Sequence, residues 1–88
     1  MQVEFLSQFN KDLEKIRFAN IKQAVQRIIL KVESAQNLSE IPNIKKLSGH
    51  KFAYRIRIGD YRIGIFVEGK TVEFARVVHR KDIYQLFP

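Results

Sequence analysis

The stretch from Phe52 to Tyr84, which decides the fold, reads FAYRIRIGDYRIGIFVEGKTVEFARVVHRKDIY. Apolar and polar side chains alternate along it in three successive runs, residues 52–58, 61–67 and 71–78. A period of two is typical of half-buried strands. The runs are separated by Gly59-Asp60 and Glu68-Gly69, and each pair offers a glycine where a tight hairpin needs a positive φ. The pattern therefore predicts three consecutive antiparallel strands.

Arginines share one face of this predicted meander. If Gly59-Asp60 is a two-residue loop, Arg57 lies opposite Arg62, and Arg55 lies opposite Gly64. Like charges directly opposite each other across strands are destabilising. Two interpretations remain open: the arginines bind an anionic ligand, or they form an ordinary solvated outer face.

Composition limits the classes of protein to consider. The 88 residues predict one small domain over residues 1–88, and the absence of cysteine excludes disulfides and thiolate metal sites. The net charge is +7, and most of it lies in residues 44–88, which carry ten basic and four acidic side chains. Such asymmetry favours nucleic acid, an acidic protein or an anionic membrane surface as partner. No predicted helix combines a strongly basic face with a broad apolar one, so we expect no membrane binding.

The first half of the chain predicts a strand and two helices. Gln2 to Leu6 alternates as a short strand, and Ser7 is the expected N-cap of a helix that ends near Ile16. Asn20 is expected to cap the second helix, with Gln23 completing a capping-box pattern. Two helices joined by a few residues form a hairpin that covers one face of a sheet.

The remaining segments are less regular. The second helix should end near Gln36-Asn37, and Ile44 to His50 is interpreted as an irregular basic loop. Lys81 to Phe87 is long enough for one or two helical turns, and its apolar side chains need an apolar surface or a partner. The predicted fold class is α+β, with a two-helix hairpin packed on a small, mostly antiparallel sheet and a short C-terminal helix. No signal segment or membrane-spanning stretch is recognisable, so a soluble, cytoplasmic protein is expected.

Two motifs carry a resemblance to a known family. YRIRIGDYRIG at residues 54–64 and HRKDIY at residues 79–84, in the order strand, helical hairpin, basic loop, meander and tail, resemble the RelE/ParE toxin superfamily. The resemblance implies a toxin of a type II toxin–antitoxin system, and its best-known branch cuts mRNA in the ribosomal A site. There the 2′-OH of the RNA attacks the adjacent phosphate, which requires no metal or other cofactor. The superfamily also contains gyrase poisons, and a non-catalytic binding protein with the same fold is a third alternative.

The resemblance also implies site residues. Matched by motif, the basic strand positions are Arg55 and Arg57, and the other family positions are Arg62, Arg80 and Tyr84. The best-known relatives have lysines at the two strand positions, and arginine cannot serve as a base because it stays protonated. His79, as the side chain here that ordinarily titrates near neutrality, becomes the expected proton acceptor. A strand-end histidine bonded only to the backbone is the alternative.

Further expectations concern binding. Lys45, Lys46 and Lys51 suit contacts with RNA phosphates, or form a solvated basic loop. Tyr84 either stacks on a base or packs the tail onto the sheet. Gly64 either leaves room for a ligand or only relieves the sheet. The implied partners are the ribosome with its mRNA, and a RelB-like antitoxin whose acidic segment wraps the toxin in a hetero-oligomer.

Overall fold

A computed structural model describes all residues from 1 to 88 and contains a five-stranded mixed sheet with three helices. The strands are β1 (Gln2–Phe5), β2 (Ile44–Lys46), β3 (Ala53–Ile58), β4 (Tyr61–Glu68) and β5 (Thr71–His79). The helices are α1 (Ser7–Lys15), α2 (Ala19–Ser34) and α3 (Ile83–Leu86), with a single 3₁₀ turn at Leu38–Glu40. The order of strands across the sheet is β1-β5-β4-β3-β2. None of the helices is both long enough and apolar enough to cross a membrane.

The meander has the predicted register. Arg57 pairs with Arg62 and Arg55 with Gly64, across a two-residue turn in which Gly59 has a φ of 59°. A side chain with a Cβ is disfavoured at such a positive φ, so the glycine fixes the turn. β1 joins the outer edge of β5 in parallel, and every other pair is antiparallel. The α+β prediction with a mostly antiparallel sheet is confirmed.

The two long helices cover one face of the sheet, as predicted. The main core lies between them and the sheet, and its most deeply buried side chains include Phe9, Val25, Val32, Ile56, Ile63 and Phe74. Tyr54 and Tyr61 pack against the same core, on the face opposite the arginines. The alternation along β3 and β4 therefore separates an apolar face from a cationic one.

The predicted helix caps are wrong. α1 has Leu6 at its N-cap, so Ser7 is already helical, and α2 begins at Ala19 with Phe18 at the cap. Neither cap makes a side-chain hydrogen bond; the carbonyl of Phe18 accepts from the N–H groups of Ile21 and Lys22 instead. The connection from the buried Ile16 to α2 is only three residues long, so packing rather than cap chemistry sets where α2 begins. Asn20 consequently lies inside the first turn.

The loop predicted from Ile44 to His50 is partly a strand. Ile44 pairs with Ile56, Lys45 with Arg55 and Lys46 with Tyr54, which gives β3 a neighbour on its outer side. Ile44 thereby packs against the main core. Three residues are too few for their alternation to identify a strand, and the pairing partner lies about ten residues further along the chain.

The cationic face of the sheet is not fully open, because the C-terminal tail covers part of it. A second core there contains Leu47, Ala53, Ala75, Ile83 and Phe87. A Cβ on Gly64 would lie 2.5–2.7 Å from three ring atoms of Phe87. Gly64 therefore makes room for an aromatic ring of the same chain, which is neither of the two explanations considered from the sequence.

A buried carboxylate attaches α1 to β5. Asp12, 5% exposed, accepts hydrogen bonds from Arg76 Nε at 2.7 Å, from the Val77 N–H at 3.1 Å and from Gln8 Nε2 at 3.1 Å. A buried charge is tolerated when it is paired and fully hydrogen-bonded, as it is here. The contact lies beyond Phe74, where the pairing of β1 with β5 ends.

The close approach of Phe87 to Gly64 can be tested with a double-mutant cycle. Gly64→Ala should lower the free energy of unfolding by about 1–3 kcal/mol, because the added methyl group overpacks the ring. In a Phe87→Ala background the same change should be neutral or slightly stabilising, since glycine is a weak strand residue. Urea denaturation of the four proteins measures both effects. An equal loss of stability in the two backgrounds would show that the ring is not what Gly64 accommodates.

Candidate functional site

A cleft on the cationic face brings together side chains from β2, β3, β4 and α3. We call it the Tyr84 cleft; its volume is about 360 Å³, and it is lined by Asn43, Ile44, Lys45, Arg55, Arg57, Arg62 and Tyr84. Four of these side chains are cations and none is a carboxylate. Lys45 lies opposite Arg55, and Arg57 lies opposite Arg62, so neighbouring strands place like charges side by side. The cleft therefore has the electrostatic character of an anion-binding site.

Tyr84 reaches the cleft because the residues around it anchor the tail. Ile83 and Phe87 are buried in the second core, whereas Tyr84 is 76% exposed. The guanidinium of Arg55 lies 4.5 Å from the centre of the Tyr84 ring, a cation–π contact. Ile83 and Phe87 therefore pack the tail onto the sheet, and most of the Tyr84 ring faces solvent.

Arg57 is held by Asn43, a residue that sequence reasoning did not select. Asn43 is the one non-glycine residue with a positive φ, 60°, a conformation that asparagine tolerates better than most residues. Its backbone carbonyl accepts from the Arg57 N–H at 3.1 Å, and its Oδ1 lies 3.4 Å from the Arg57 guanidinium. The sequence offered one sign of this role, because an asparagine directly after Pro42 and before the apolar–basic run that starts at Ile44 is typical of a turn.

Arg62 has a structural contact as well as a place in the cleft. Its guanidinium donates to the carbonyl of Gly59 at 2.8 Å and to that of Tyr61 at 2.9 Å. Both acceptors belong to the β3–β4 turn. One terminal nitrogen of Arg62 is therefore occupied by the turn, and the rest of the guanidinium remains available to a ligand.

Arg80 lies outside the Tyr84 cleft. Its Nε is 3.9 Å from Asp60, and both side chains are mostly exposed, so the ion pair is weak. Arg80 lines a larger cleft of about 960 Å³ between α2 and the β3–β4 turn, which we call the α2 cleft. Arg57 and Arg62 line both clefts, so the two adjoin at these arginines.

His79 lies on the helix side of the sheet and not in the Tyr84 cleft. It pairs with Tyr61 across β4 and β5, and the two rings meet edge to face at 5.5 Å. Both line an aromatic cavity of about 480 Å³ together with Phe18, Asn20, Ile21, Gly59 and Asp60. The Nδ1 of His79 accepts a hydrogen bond from the Lys81 N–H at 3.1 Å. In the neutral imidazole this leaves the proton on Nε2, which is then a donor.

Two of the predicted phosphate-binding lysines lie elsewhere. Lys46 shares the face of Tyr54 and donates to the carbonyls of His50 and Lys51 at 3.1 and 2.8 Å, so it closes the loop after β2. Lys51 belongs to the same loop. The structure brings Lys45 to the arginines and leaves Lys46 and Lys51 on a separate exposed surface.

The arrangement suits a phosphodiester chain. Arginine guanidinium groups bind phosphate oxygens with two parallel hydrogen bonds, and an exposed tyrosine ring offers a stacking surface for a base. Within hydrogen-bonding reach of the Tyr84 cleft the structure offers cations and an amide, and no acidic side chain lines it.

Comparison with known proteins agrees with this architecture. The sequence model of the family described as the ParE toxin of the type II toxin–antitoxin system parDE matches residues 3–84. The chain is 43% identical over 89 residues to Toxin RelE3 of Methanocaldococcus jannaschii, and the alignment covers 100% of both proteins.

Solved structures show the same similarity. The RelB-RelE antitoxin–toxin complex from Methanococcus jannaschii contains a chain that superposes with a TM-score of 0.82 at 41% identity, over 97% of this chain and 99% of that one. The RelBE2 toxin–antitoxin complex from Mycobacterium tuberculosis gives a TM-score of 0.72 at 27% identity, over 90% of this chain and 96% of that one. The protein therefore belongs to the RelE/ParE family of toxins of type II toxin–antitoxin systems.

Proposed function

We propose that this toxin is a ribosome-dependent endoribonuclease that inhibits translation by cutting mRNA in the A site. The observation that carries the proposal is the Tyr84 cleft, in which four cations and an exposed aromatic ring converge without any carboxylate. The similarity of the whole chain to Toxin RelE3 and to a chain of the RelB-RelE complex from Methanococcus jannaschii points to the mRNA-cutting branch of the family.

In the proposed reaction the 2′-oxygen of a nucleotide forms a bond with the adjacent phosphorus, and the bond from phosphorus to the 5′-oxygen breaks. The 2′-OH proton passes to a base and the leaving 5′-oxygen takes up a proton from water, so the products are a 2′,3′-cyclic phosphate and a 5′-OH. Negative charge grows on the phosphorus oxygens in the transition state, where oriented cations are most effective. Arg57 and Arg62, adjacent on β3 and β4, supply that charge stabilisation, and Arg80 approaches from the α2 cleft. Tyr84 stacks on a base and fixes the register of the RNA.

A proton acceptor for the 2′-OH is also required. The arginines cannot serve, because guanidinium does not release its proton at neutral pH. His79 stays the predicted acceptor, and the role demands that its imidazole turn away from the Lys81 N–H and toward the α2 cleft. The two cavities adjoin, since Gly59 and Asp60 line both the aromatic cavity and the α2 cleft.

A second candidate function is supported by the family description. The family model that matches the chain is named after the ParE toxin. The superfamily includes gyrase poisons that carry out no hydrolysis. The full set of Arg57, Arg62 and Arg80 favours the ribonuclease, because a poison that acts through protein contacts has no need to stabilise a phosphorane.

We further propose that an antitoxin silences the protein by wrapping it with an acidic segment. The chains superposed above come from RelB–RelE and RelBE2 complexes. The net charge of +7 and the exposed apolar side chain of Leu86 in the tail would complement a segment that is both acidic and apolar.

The ribonuclease proposal predicts a specific pattern of RNA ends. Purified protein added to a translating extract should produce cuts spaced by codons, with 2′,3′-cyclic phosphates at the new ends. Mapping of the RNA ends checks this. Intact mRNA together with cleaved supercoiled DNA in a gyrase assay would assign the protein to the poisons, and no effect in either assay would make it a non-catalytic member.

Arg62→Ala should separate activity from stability. Cleavage should fall by about two orders of magnitude, the scale for loss of one oriented donor in a transition state. The free energy of unfolding should change by less than about 1 kcal/mol, since the loss of two exposed hydrogen bonds is offset by the removal of repulsion from Arg57. Arg17→Ala, which removes one exposed charge from the helix connection, is the control and should keep parental activity. Early melting of Arg62→Ala, or cleavage at the parental rate, would make Arg62 a structural arginine.

His79→Asn tests the proton acceptor. An asparagine amide oxygen can keep the bond to the Lys81 N–H, whereas it cannot take up a proton at neutral pH. If His79 is the base, cleavage should slow at least tenfold and its rise between pH 5 and 8 should flatten, because the asparagine amide does not act as a proton acceptor. The rate is measured on a preformed ribosome–mRNA complex across that pH range. An unchanged pH profile would leave His79 with only its structural hydrogen bond.

A further inference from the structure

The α2 cleft contains two cations that no motif had selected. Arg27 and Lys31 lie four residues apart on α2, so they share one face of the helix and line the cleft together. Arg57, Arg62 and Arg80 line the opposite wall. Asp60 is the one carboxylate of the cleft, and it is already the partner of Arg80.

Neither α2 cation has an evident role within the fold. The two salt bridges of the chain are Arg76–Asp12 and Arg80–Asp60, so Arg27 and Lys31 pair with no acidic side chain. Five cations around one cleft repel each other, and the fold would be more stable if some were neutral. A ligand that carries several negative charges along its length would remove this repulsion.

An aromatic cavity adjoins the cationic cleft. Asn20, Ile21, Gly59 and Asp60 line both, and beyond them lie Phe18, Tyr61 and His79. Phe18 is 59% exposed although it caps α2, so much of its ring is free to make contacts. A cluster of cations beside an exposed aromatic ring provides partners for both the phosphates and the bases of a single strand.

We propose that the α2 cleft and the aromatic cavity form a second subsite for single-stranded RNA, continuous with the Tyr84 cleft. Arg27 and Lys31 bind successive phosphates, and one base stacks on Phe18. The volume of about 960 Å³ is within the range of small-ligand sites and larger than one nucleotide requires. The inference rests on the proposed function in that its occupant is RNA. An acidic protein segment would also match the cations, whereas in RNA every nucleotide supplies both a phosphate for the cations and a planar base for the ring of Phe18.

The phosphate contacts predict a change in salt dependence. A fluorescein-labelled decauridylate serves as probe, with affinity measured by anisotropy at several NaCl concentrations. Arg27→Ala/Lys31→Ala should weaken binding and make the slope of log K against log salt less steep by about 1.4, since each phosphate contact with a single strand contributes about 0.7. Lys15→Ala/Lys22→Ala removes the same charge from exposed sites that line neither cleft, and should keep the parental slope.

The base contact is tested with a second matched pair. Phe18→Ala should weaken binding of the same probe by roughly fivefold to a hundredfold, the range for one stacked base. Leu30→Ala truncates a side chain of nearly equal exposure on α2, 57% against 59%, which lines neither cleft and not the aromatic cavity. It should bind within twofold of the parent. Thermal melting of all variants confirms that they are folded.

The outcomes separate this inference from the proposed function. Equal slopes for the two double variants, or equal affinities for Phe18→Ala and Leu30→Ala, would overturn the subsite even if mRNA is cut in the extract. Weaker binding of a poly-glutamate peptide by Arg27→Ala/Lys31→Ala, with RNA binding unchanged, would assign the cleft to a protein partner. If the variants lose RNA affinity as expected but the parent protein cuts no mRNA, the subsite is supported and the proposed enzymatic activity is refuted. Co-sedimentation of the Arg27→Ala/Lys31→Ala variant with ribosomes that carry no mRNA identifies the RNA in the subsite. Weaker co-sedimentation than the parent indicates ribosomal RNA, and unchanged co-sedimentation indicates the substrate strand; both results support the subsite.

Discussion

The packing of Phe87 on Gly64 is the contact on which the candidate site depends. The ring can lie against β4 because Gly64 has no side chain, and with Ile83 it fixes the tail over the sheet. That anchoring directs Tyr84 outward to the Arg55 guanidinium. Without it, the sheet would present a row of arginines but no cleft, since α3 forms one of its walls. A single missing side chain in the middle of a strand thus determines where the candidate site lies.

The arginine pair at the centre of the cleft is held by backbone groups and an amide, not by acidic side chains. Arg57 is bonded to Asn43, and Arg62 to the carbonyls of the β3–β4 turn. Carbonyl oxygens accept from guanidinium groups and leave their full positive charge in place. An acidic partner would have relieved the repulsion between the arginines, but it would have neutralised the positive potential of the cleft. The positive potential of the site is therefore a property that the local fold preserves at some expense of stability.

The sequence predicts those features that local pattern determines. The register of β3 and β4 followed from the alternation around Gly59-Asp60, and the arginines of this face followed from the register. The caps of α1 and α2 could not be predicted, because the position of the buried Ile16 sets where the chain enters α2. The pairing of β2 was missed because three residues show too little alternation. The fit of Phe87 to Gly64 and the meeting of the α2 cations with the arginines of β3 and β4 were missed because each brings together segments that are distant in sequence. The Asp12–Arg76 hydrogen bond joins residues 64 positions apart, and no local sequence pattern predicts such a contact.

The same Asp12–Arg76 contact has a consequence for how copies of the chain meet. β5 extends past the end of β1 and would present unpaired N–H groups there, yet Asp12 occupies the N–H of Val77 and α1 lies along that side. At the other margin, β2 is only three residues long and carries Lys45 and Lys46. Short, charged or covered margins prevent sheets from joining edge to edge. A chain that concentrates isoleucine and valine in three long strands is thereby protected from aggregating through them.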